Sequence, residues 1–227
     1  ETFGLEHPAV ARALNNLASV YSDQGRYDEA EALYERARAI QEKAFGHAHP
    51  GSADTLNNLA TLYEEQGEFA RAEALYKQAL SILEEAHGPR HPRVAITLSN
   101  LGGLHETQEH YGQAEAFHNR ALAIRKEALG ALHPRTSASL ASLADLYRKQ
   151  GKYAEAEPLY RRLLAIDEEL FGPDRSIIAR TLTRLADICM KTDREQEALR
   201  LEERANEIRA HAHTSPPPAR VDTGSER

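Results

Sequence analysis

An eight-residue phrase and its answer constrain this chain more than anything else in it. Leu14 to Tyr21 reads LNNLASVY, and Gln24 to Tyr34 follows with QGRYDEAEALY. The pair returns from Leu56 as LNNLATLY and QGEFARAEALY, from Leu98 as LSNLGGLH and QEHYGQAEAFH, and from Leu140 as LASLADLY and QGKYAEAEPLY. A worn copy starts at Leu182, LTRLADIC with TDREQEALRLE. Each copy begins 42 residues after the one before it. A fixed period of that size belongs to stacked supersecondary units, since one unit cannot bury its apolar face alone and must share a continuous core with its neighbours.

Leu14, Leu17, Ala18 and Tyr21 are spaced i, i+3, i+4, i+7, the pattern of an amphipathic helix. The spacing predicts a helix A over about Ala9 to Gln24, broken by Gly25, and a helix B over about Tyr27 to Phe45. Ala30, Leu33, Tyr34, Ala37 and Ile40 supply the buried stripe of helix B, the small alanines allowing close approach and Tyr34 filling the space beside them. No alternating strand pattern occurs, so the fold class is all-α. His7-Pro8, His49-Pro50, His91-Pro92 and His133-Pro134 open the repeats, and proline suits the first helical position, where its missing N–H has no partner to lose. Gly46, Gly88, Gly130 and Gly172 close them, as expected of a left-handed residue just past a helix end. Pro158 falls inside the fourth helix B and predicts a bend over Ala154 to Pro158 without a break, because the apolar spacing continues through Leu159, Leu163 and Ile166.

The expected organisation has five repeats, at 7–48, 49–90, 91–132, 133–174 and 175–213, together a solenoid over 7–213. Phe3 and Gly4 stand one period before Phe45 and Gly46, so residues 1–6 read as the end of a preceding repeat and the chain as a segment of a longer one. In the fifth repeat Arg175 and Ser176 replace His-Pro, Asp193 replaces the turn glycine, and Glu195 and Glu202 replace aromatics. Polar residues where a further repeat would pack are what a terminal cap needs. Residues 214–227, TSPPPARVDTGSER, read as a disordered Pro-rich tail or linker, too poor in apolar surface to order itself.

With 41% hydrophobic and 28% charged residues the chain has enough apolar surface for a stacked core. A formal charge of −7 argues against nucleic acid as a partner, because neutralising phosphates needs a basic surface. The lone cysteine, Cys189, excludes an internal disulfide framework and gives no sign of an oxidising compartment. No apolar run approaches the ~18 residues of a membrane span, and no charged-then-apolar leader opens the chain. A cytoplasmic, membrane-free setting is the expectation.

The pattern L-x-x-L-A-x-x-Y followed by A-x-x-x-Y-x-x-A resembles the tetratricopeptide repeat. Leu14 stands in place of that motif's usual Trp, and Ala18 where Gly is frequent. The period exceeds the common 34 residues, helix B carrying two extra turns. HEAT and armadillo repeats have similar periods but not the A-x-x-x-Y-x-x-A signature. LNNLA, QGKY, EAEPLY and the G-x-x-HP junction together are similar to the kinesin light chain type of tetratricopeptide repeat, over about Thr2 to Ala212. The heptad region that binds the kinesin heavy chain is not part of this segment. The resemblance implies a right-handed α-solenoid, a superhelix of five antiparallel helix pairs. It also implies an inner groove that binds extended peptides, in the family's best-known case acidic peptides with an aromatic anchor.

Arg12, Asn16, Ser19 and Asp23, spaced i, i+4, i+7, i+11, form a second, polar stripe beside the buried one. In tetratricopeptide proteins the equivalent stripe lines the groove. The place of Asn16 recurs as Asn58, Asn100, Ser142 and Arg184. An Asn ladder offers donors and acceptors to the evenly spaced N–H and C=O groups of an extended peptide. Asn15 and Asn57, one residue earlier, join this ladder or cap the neighbouring helix. The competing reading of the whole ladder is structural, its side chains tying helix A to the adjacent helix. Lys149, Arg180, Arg184 and Lys191 would meet an acidic ligand through charge-assisted bonds, with Asp145 and Asp187 beside them to neutralise part of that charge. The expected contact set is therefore Arg12, Asn15, Asn16, Asn57, Asn58, Asn100, Ser142, Lys149, Arg180 and Arg184.

No catalytic constellation emerges, and no cofactor is expected. There is no phosphate-cradling Gly loop or serine elbow. His7, His49, His91 and His133 are too far apart to share one zinc ion, since packed helices stand about 8–10 Å apart and zinc needs nitrogens at about 2.0–2.1 Å. A junction or capping role fits them better. His47 with His49, or His211 with His213, would chelate only weakly. Cys189 takes a Tyr position and reads as a small core residue. The function expected is a non-catalytic scaffold gripping a linear segment of another protein. The alternative is a regulatory or structural array that packs on a flanking domain of its own chain or on another copy.

Overall fold

Local sequence explains the elements of the computed structural model, which describes Gly4, residues 6–173 and residues 175–214. Among the described residues there are ten helices and no strand: α1 (Pro8–Asp23), α2 (Tyr27–Phe45), α3 (Ser52–Glu65), α4 (Phe69–His87), α5 (Pro92–Thr107), α6 (Tyr111–Leu129), α7 (Pro134–Lys149), α8 (Tyr153–Phe171), α9 (Ser176–Lys191) and α10 (Glu195–Thr214). Odd numbers are the A helices and even numbers the B helices. The expected tail lies outside the described residues except for Thr214, which ends α10, and most of the first six residues lie outside them too. None of the described helices is long and apolar enough to cross a membrane.

The His-Pro pairs act as N-caps. The ring Nδ1 of His7 accepts the N–H of Ala9 at 3.1 Å, that of His49 the N–H of Gly51 at 3.0 Å, that of His91 the N–H of Arg93 at 3.2 Å and that of His133 the N–H of Arg135 at 3.1 Å. Each imidazole thereby satisfies one of the orphan donors of a helix start. α3 departs from the expectation that proline takes the first helical position. It begins at Ser52, two residues after Pro50, although the His49 cap is in place. Gly51, a poor helix former, occupies the intervening position.

The A–B turns repeat one device. The backbone N–H of Arg26 reaches Tyr21, that of Glu68 reaches Tyr63, that of His110 reaches His105, that of Lys152 reaches Tyr147 and that of Arg194 reaches Cys189, each at 2.8 to 2.9 Å. This is the Schellman closure around one residue of positive φ. Gly25, Gly67 and Gly151 fill that place in three repeats, but Glu109 (φ 59°) and Asp193 (φ 58°) hold it in the other two. The repeat-closing glycines differ from the left-handed expectation. Gly46 has φ 85° and ψ 167°, and its counterparts are alike. That is the mirror image of extended backbone, a region open essentially to glycine alone. Pro158 sits inside α8, which runs unbroken from Tyr153 to Phe171.

The chain divides within α7 into two compact units, Glu1–Leu146 and Tyr147–Arg227. In the first unit α1 packs on α2, α2 on α3, α3 on α4, α4 on α5 and α5 on α6, and successive A helices also touch, α1 with α3 and α3 with α5. One core cluster gathers Ala18, Ala30 and Tyr34 with Leu59, Ala60, Leu62, Tyr63, Ala72 and Tyr76, extending to Leu101 and Leu104. A second joins Ala53, Leu56, Ala79, Ile82 and Leu83 to Val94, Ala95, Leu98, Ala121 and Ile124. Each cluster spans more than one repeat, as shared burial requires. In the second unit α9 packs on both α8 and α10. Its core includes Ile178, Ala179, Leu182, Ala205 and Ile208, with Cys189 buried beside Ala186 and Ala198.

The first repeat departs from the expected stripe. Leu17 is 42% exposed and Val20 48% exposed. Their equivalents Leu59, Leu101, Leu143 and Leu185, and Leu62, Leu104, Leu146 and Ile188, are all buried. The periodicity is the same in every copy, so the difference lies in what covers the helix. No other described helix packs over this face of α1.

Candidate functional site

The polar stripe of the A helices stays in water. In α1 Arg12, Asn16, Ser19 and Asp23 are exposed, and in α3 Asp54, Asn58, Thr61 and Glu65 are exposed. In α5 the corresponding residues are exposed Ile96, half-buried Asn100 and Gly103, and exposed Thr107. α1 touches α3 and α3 touches α5, so these stripes lie on neighbouring helices of the first unit. Ser142 is half-buried, its hydroxyl donating to the Ala138 carbonyl of its own helix at 3.2 Å. In the second unit Lys149 and Arg180 are exposed, as is Lys191, and Arg184 is half-buried.

Asn15 and Asn57 cap no helix and follow instead the structural reading of the ladder. Both are buried. The Asn15 Nδ2 donates to Thr55 Oγ1 at 2.7 Å, and the Asn57 Nδ2 donates to Thr97 Oγ1 at 3.0 Å. Each amide thus ties one A helix to the next. Thr55 passes the chain on by donating to Gln41 Oε1 at 2.8 Å, and Gln41 reaches the Gly51 carbonyl at 3.2 Å. Adjacent residues on a helix point about 100° apart, which is why Asn15 turns inward while Asn16 faces water.

The charges on the wall are partly engaged. Asp54 pairs with Arg93 of the next repeat at 2.9 Å, and Glu65 accepts from Ser22 at 2.9 Å. Within the second unit Arg148 pairs with Asp187 at 3.0 Å.

A second set of contacts, which the sequence reading missed, runs from helix B to the next helix A. Glu31 of α2 accepts from the Tyr63 hydroxyl at 2.6 Å, and Arg71 lies over the Tyr63 ring, 3.7 Å from its centroid, while pairing with Glu31 at 3.2 Å. Burial, reinforced by Glu31, pushes the Tyr63 phenol well above its usual range. In the fifth repeat Cys189 is too short to serve as that partner. There Glu157 of α8 takes two bonds from Arg194, at 2.6 and 2.8 Å. Those bonds hold the Glu157 carboxyl below its usual range. Burial pushes the Cys189 thiol up, the opposite of what a nucleophile needs. Among the described residues no three His, Cys, Asp or Glu side chains gather to hold a metal ion. His47 pairs instead with Glu42 at 3.3 Å, and His49 stacks on Phe45.

The sequence profile of the tetratricopeptide repeat matches residues 9–85, 67–127, 111–169 and 135–210, which together span nearly the whole helical region. The chain belongs to the tetratricopeptide repeat family. Among solved structures, BtubC (BKLC) from P. vanneervenii superposes with a TM-score of 0.84 at 23% identity, covering 97% of this chain and 87% of the other. The nearly identical TPR-like repeats of a Podosopora anserina protein assigned as a kinesin light chain superpose with a TM-score of 0.79 at 26% identity, over 92% of this chain and 99% of theirs. Pseudomonas aeruginosa pilF is similar at a TM-score of 0.65 and 21% identity, over 88% of this chain and 78% of that one. No curated protein matches the sequence. The family match and these neighbours make this a tetratricopeptide protein of the kinesin light chain type. Tetratricopeptide solenoids are typically protein–protein interaction scaffolds and generally non-catalytic.

Proposed function

We propose that this tetratricopeptide chain binds an extended segment of another protein along the exposed stripe of its A helices. The observation that carries the proposal is the register of Asn16, Asn58 and Asn100 on three helices that lie side by side. Asn16 and Asn58 each stand one residue after a buried Asn that ties its helix to the next A helix, so scaffold and wall are built from neighbouring positions. Asn15 and Asn57 spend their donors on threonines and act by positioning. Asn16, Asn58 and Asn100 are left to meet a peptide backbone, with Arg12 at the edge and Ser142 continuing the series. The basic side chains of the second unit, Lys149, Arg180, Arg184 and Lys191, are by themselves suited to an acidic segment through charge-assisted bonds. A cytoplasmic setting suits such a scaffold.

The test is the double variant Asn58→Ala/Asn100→Ala, assayed against a peptide selected on the unmodified chain. Affinity falls about tenfold or more, the equivalent of two hydrogen bonds at roughly 1 kcal/mol each, while the thermal midpoint stays in place. Unchanged affinity removes the wall from the reading. A salt titration separates the two parts of the proposal, because raised ionic strength weakens only the acidic contacts.

The exposed face of α1 favours a second reading, in which the array associates with a flanking element of its own protein or with another copy. Ala13, Leu17 and Val20 form this face, and the equivalents of Leu17 and Val20 are covered in every later repeat. Under that reading Leu17→Glu/Val20→Glu abolishes concentration-dependent association in sedimentation without unfolding the chain.

A further inference from the structure

Four of the five repeats carry no histidine at either of two ring positions, and the third carries one at both. The A-helix position is Tyr21, Tyr63, His105, Tyr147 and Cys189, and the B-helix position is Tyr34, Tyr76, His118, Tyr160 and Glu202. His105 is 2% exposed and His118 is 4% exposed. Neither ring nitrogen of His105 has a hydrogen-bond partner, and neither does Nε2 of His118. The backbone has accommodated the second of them. A Cβ at Gly102 would fall 2.5 Å from Cε1 of His118, and the other repeats carry alanine in that place, at Ala18, Ala60, Ala144 and Ala186.

The surroundings of His105 differ in kind from those of Tyr63. Tyr63 donates its hydroxyl to Glu31 and lies under Arg71, a link that keeps its proton throughout the physiological range. His105 lies 3.6 Å from Glu73 of α4, too far for a hydrogen bond, and Glu73 is already paired with Lys77 at 2.7 Å. His110 of the turn stands 5.8 Å away, in the place that holds Arg26, Lys152 and Arg194 in other repeats. From α6 the uncharged Phe117 stacks on the ring at 5.4 Å. The groups facing His105 are thus Glu73 and Lys77 from α4, His110 from the turn, and Phe117 from α6. Nearby, His118 has Glu106 at 3.6 Å.

We propose that the junction between the second and third repeats is a pH-sensitive joint, in which proton uptake by His105 on mild acidification loosens α5 and α6 from α4. Burial, opposed more weakly by Glu73, pushes the His105 imidazole below its usual value. A folded-state pKa below the unfolded one gives stability that is fully present above about pH 6.5. It is lost as the pH falls toward the folded value, because the opened state takes the proton first. Histidine is the side chain whose ordinary pKa places this change near neutrality. The joint stands independently of the peptide reading, but because α5 carries Asn100 its opening would also break up the proposed wall.

The experiment compares the unmodified chain with His105→Tyr, which restores the residue of three other repeats and lets the hydroxyl reach Glu73 as Tyr63 reaches Glu31. Denaturant unfolding is measured at pH 7.5 and 5.5, with amide exchange followed on α5. The folding constant of the unmodified chain falls more than that of the variant over this interval, by up to about tenfold, and α5 amides lose protection at the lower pH. An equal or smaller fall in the unmodified chain overturns the proposal. If the variant does not fold, the ring titration of His105 by NMR decides. A midpoint below the ordinary histidine value of about 6.5 supports the joint, and one at or above it overturns it.

Discussion

Thr55→Val is the sharpest test of how the first two repeats are joined. Thr55 is fully buried, accepts from Asn15 at 2.7 Å and donates to Gln41 at 2.8 Å, so its hydroxyl links α1, α3 and α2 in one chain. Valine keeps the shape and removes both bonds. The cost then lies in the partners, since the Asn15 Nδ2 and the Gln41 Oε1 lose their contacts in a site with little access to water. An unsatisfied buried group costs about 1–3 kcal/mol. Both residues are 8% exposed, so the lower end applies and the two together come to about 2 kcal/mol. For a chain of this size that corresponds to a fall of roughly 4–8 °C in the thermal midpoint. Repeat arrays can open piecewise, so circular dichroism melting is paired with amide exchange across α1 to α3, where the loss should concentrate. A midpoint within about 1 °C of the unmodified chain, or exchange that rises evenly along the array, refutes the view that this hydroxyl holds the helices in register.

Glu109→Gly relieves a non-glycine residue at φ 59° and should stabilise the chain by about 1 kcal/mol, read as a higher midpoint in the same melt. Arg125 of α6 donates to Ser99 and Ser139 and to the Ala95 carbonyl, and burial lowers its pKa, but the equivalent Leu83 is buried without trouble. Arg125→Leu should therefore stay within about 1 kcal/mol of the unmodified chain, whereas Arg125→Ala, which also loses the packed stem, should cost about 2 kcal/mol in denaturant unfolding. Arg194→Met removes the two bonds that Arg194 makes to Glu157 and leaves Arg161 beside the carboxylate at 2.6 Å, so it should lower stability modestly at neutral pH in denaturant unfolding. Because the Glu157 pKa is depressed, that contribution is present above about pH 4.3 and lost as the pH falls, so the two proteins should converge in acid-unfolding curves below it.

Helix positions were readable because the information they need is local. Capping, turn closure and apolar spacing act within a few residues, and helix B at Tyr27 to Phe45 and helix A to within a residue at each end follow from them alone. The closing glycines were placed correctly and their conformation was not, because a positive φ can be read from a glycine that recurs at the same place in each repeat but its ψ depends on how the next helix leaves. The candidate wall was legible as a stripe. The bond that gives Asn15 its task was not, since its partner Thr55 lies on the next A helix and no local pattern names it.

The same distinction explains the outer face of α1. Leu17 and Leu59 occupy the same place in LNNLASVY and LNNLATLY, yet one is exposed and the other wholly buried. No property of the helix itself can account for that difference, because the two segments share their spacing and nearly all of their side chains. In a stacked array burial belongs to the interface between copies, and a helix pattern states only which face is able to be buried. The same reasoning applies to Glu31, Glu73 and Glu157. One repeated glutamate meets a phenol, an imidazole or a guanidinium according to what the next repeat offers, so identical residues end up with different strengths and different responses to pH. Variation in this family of contacts, more than variation in the helices, is what makes one joint of the array unlike another.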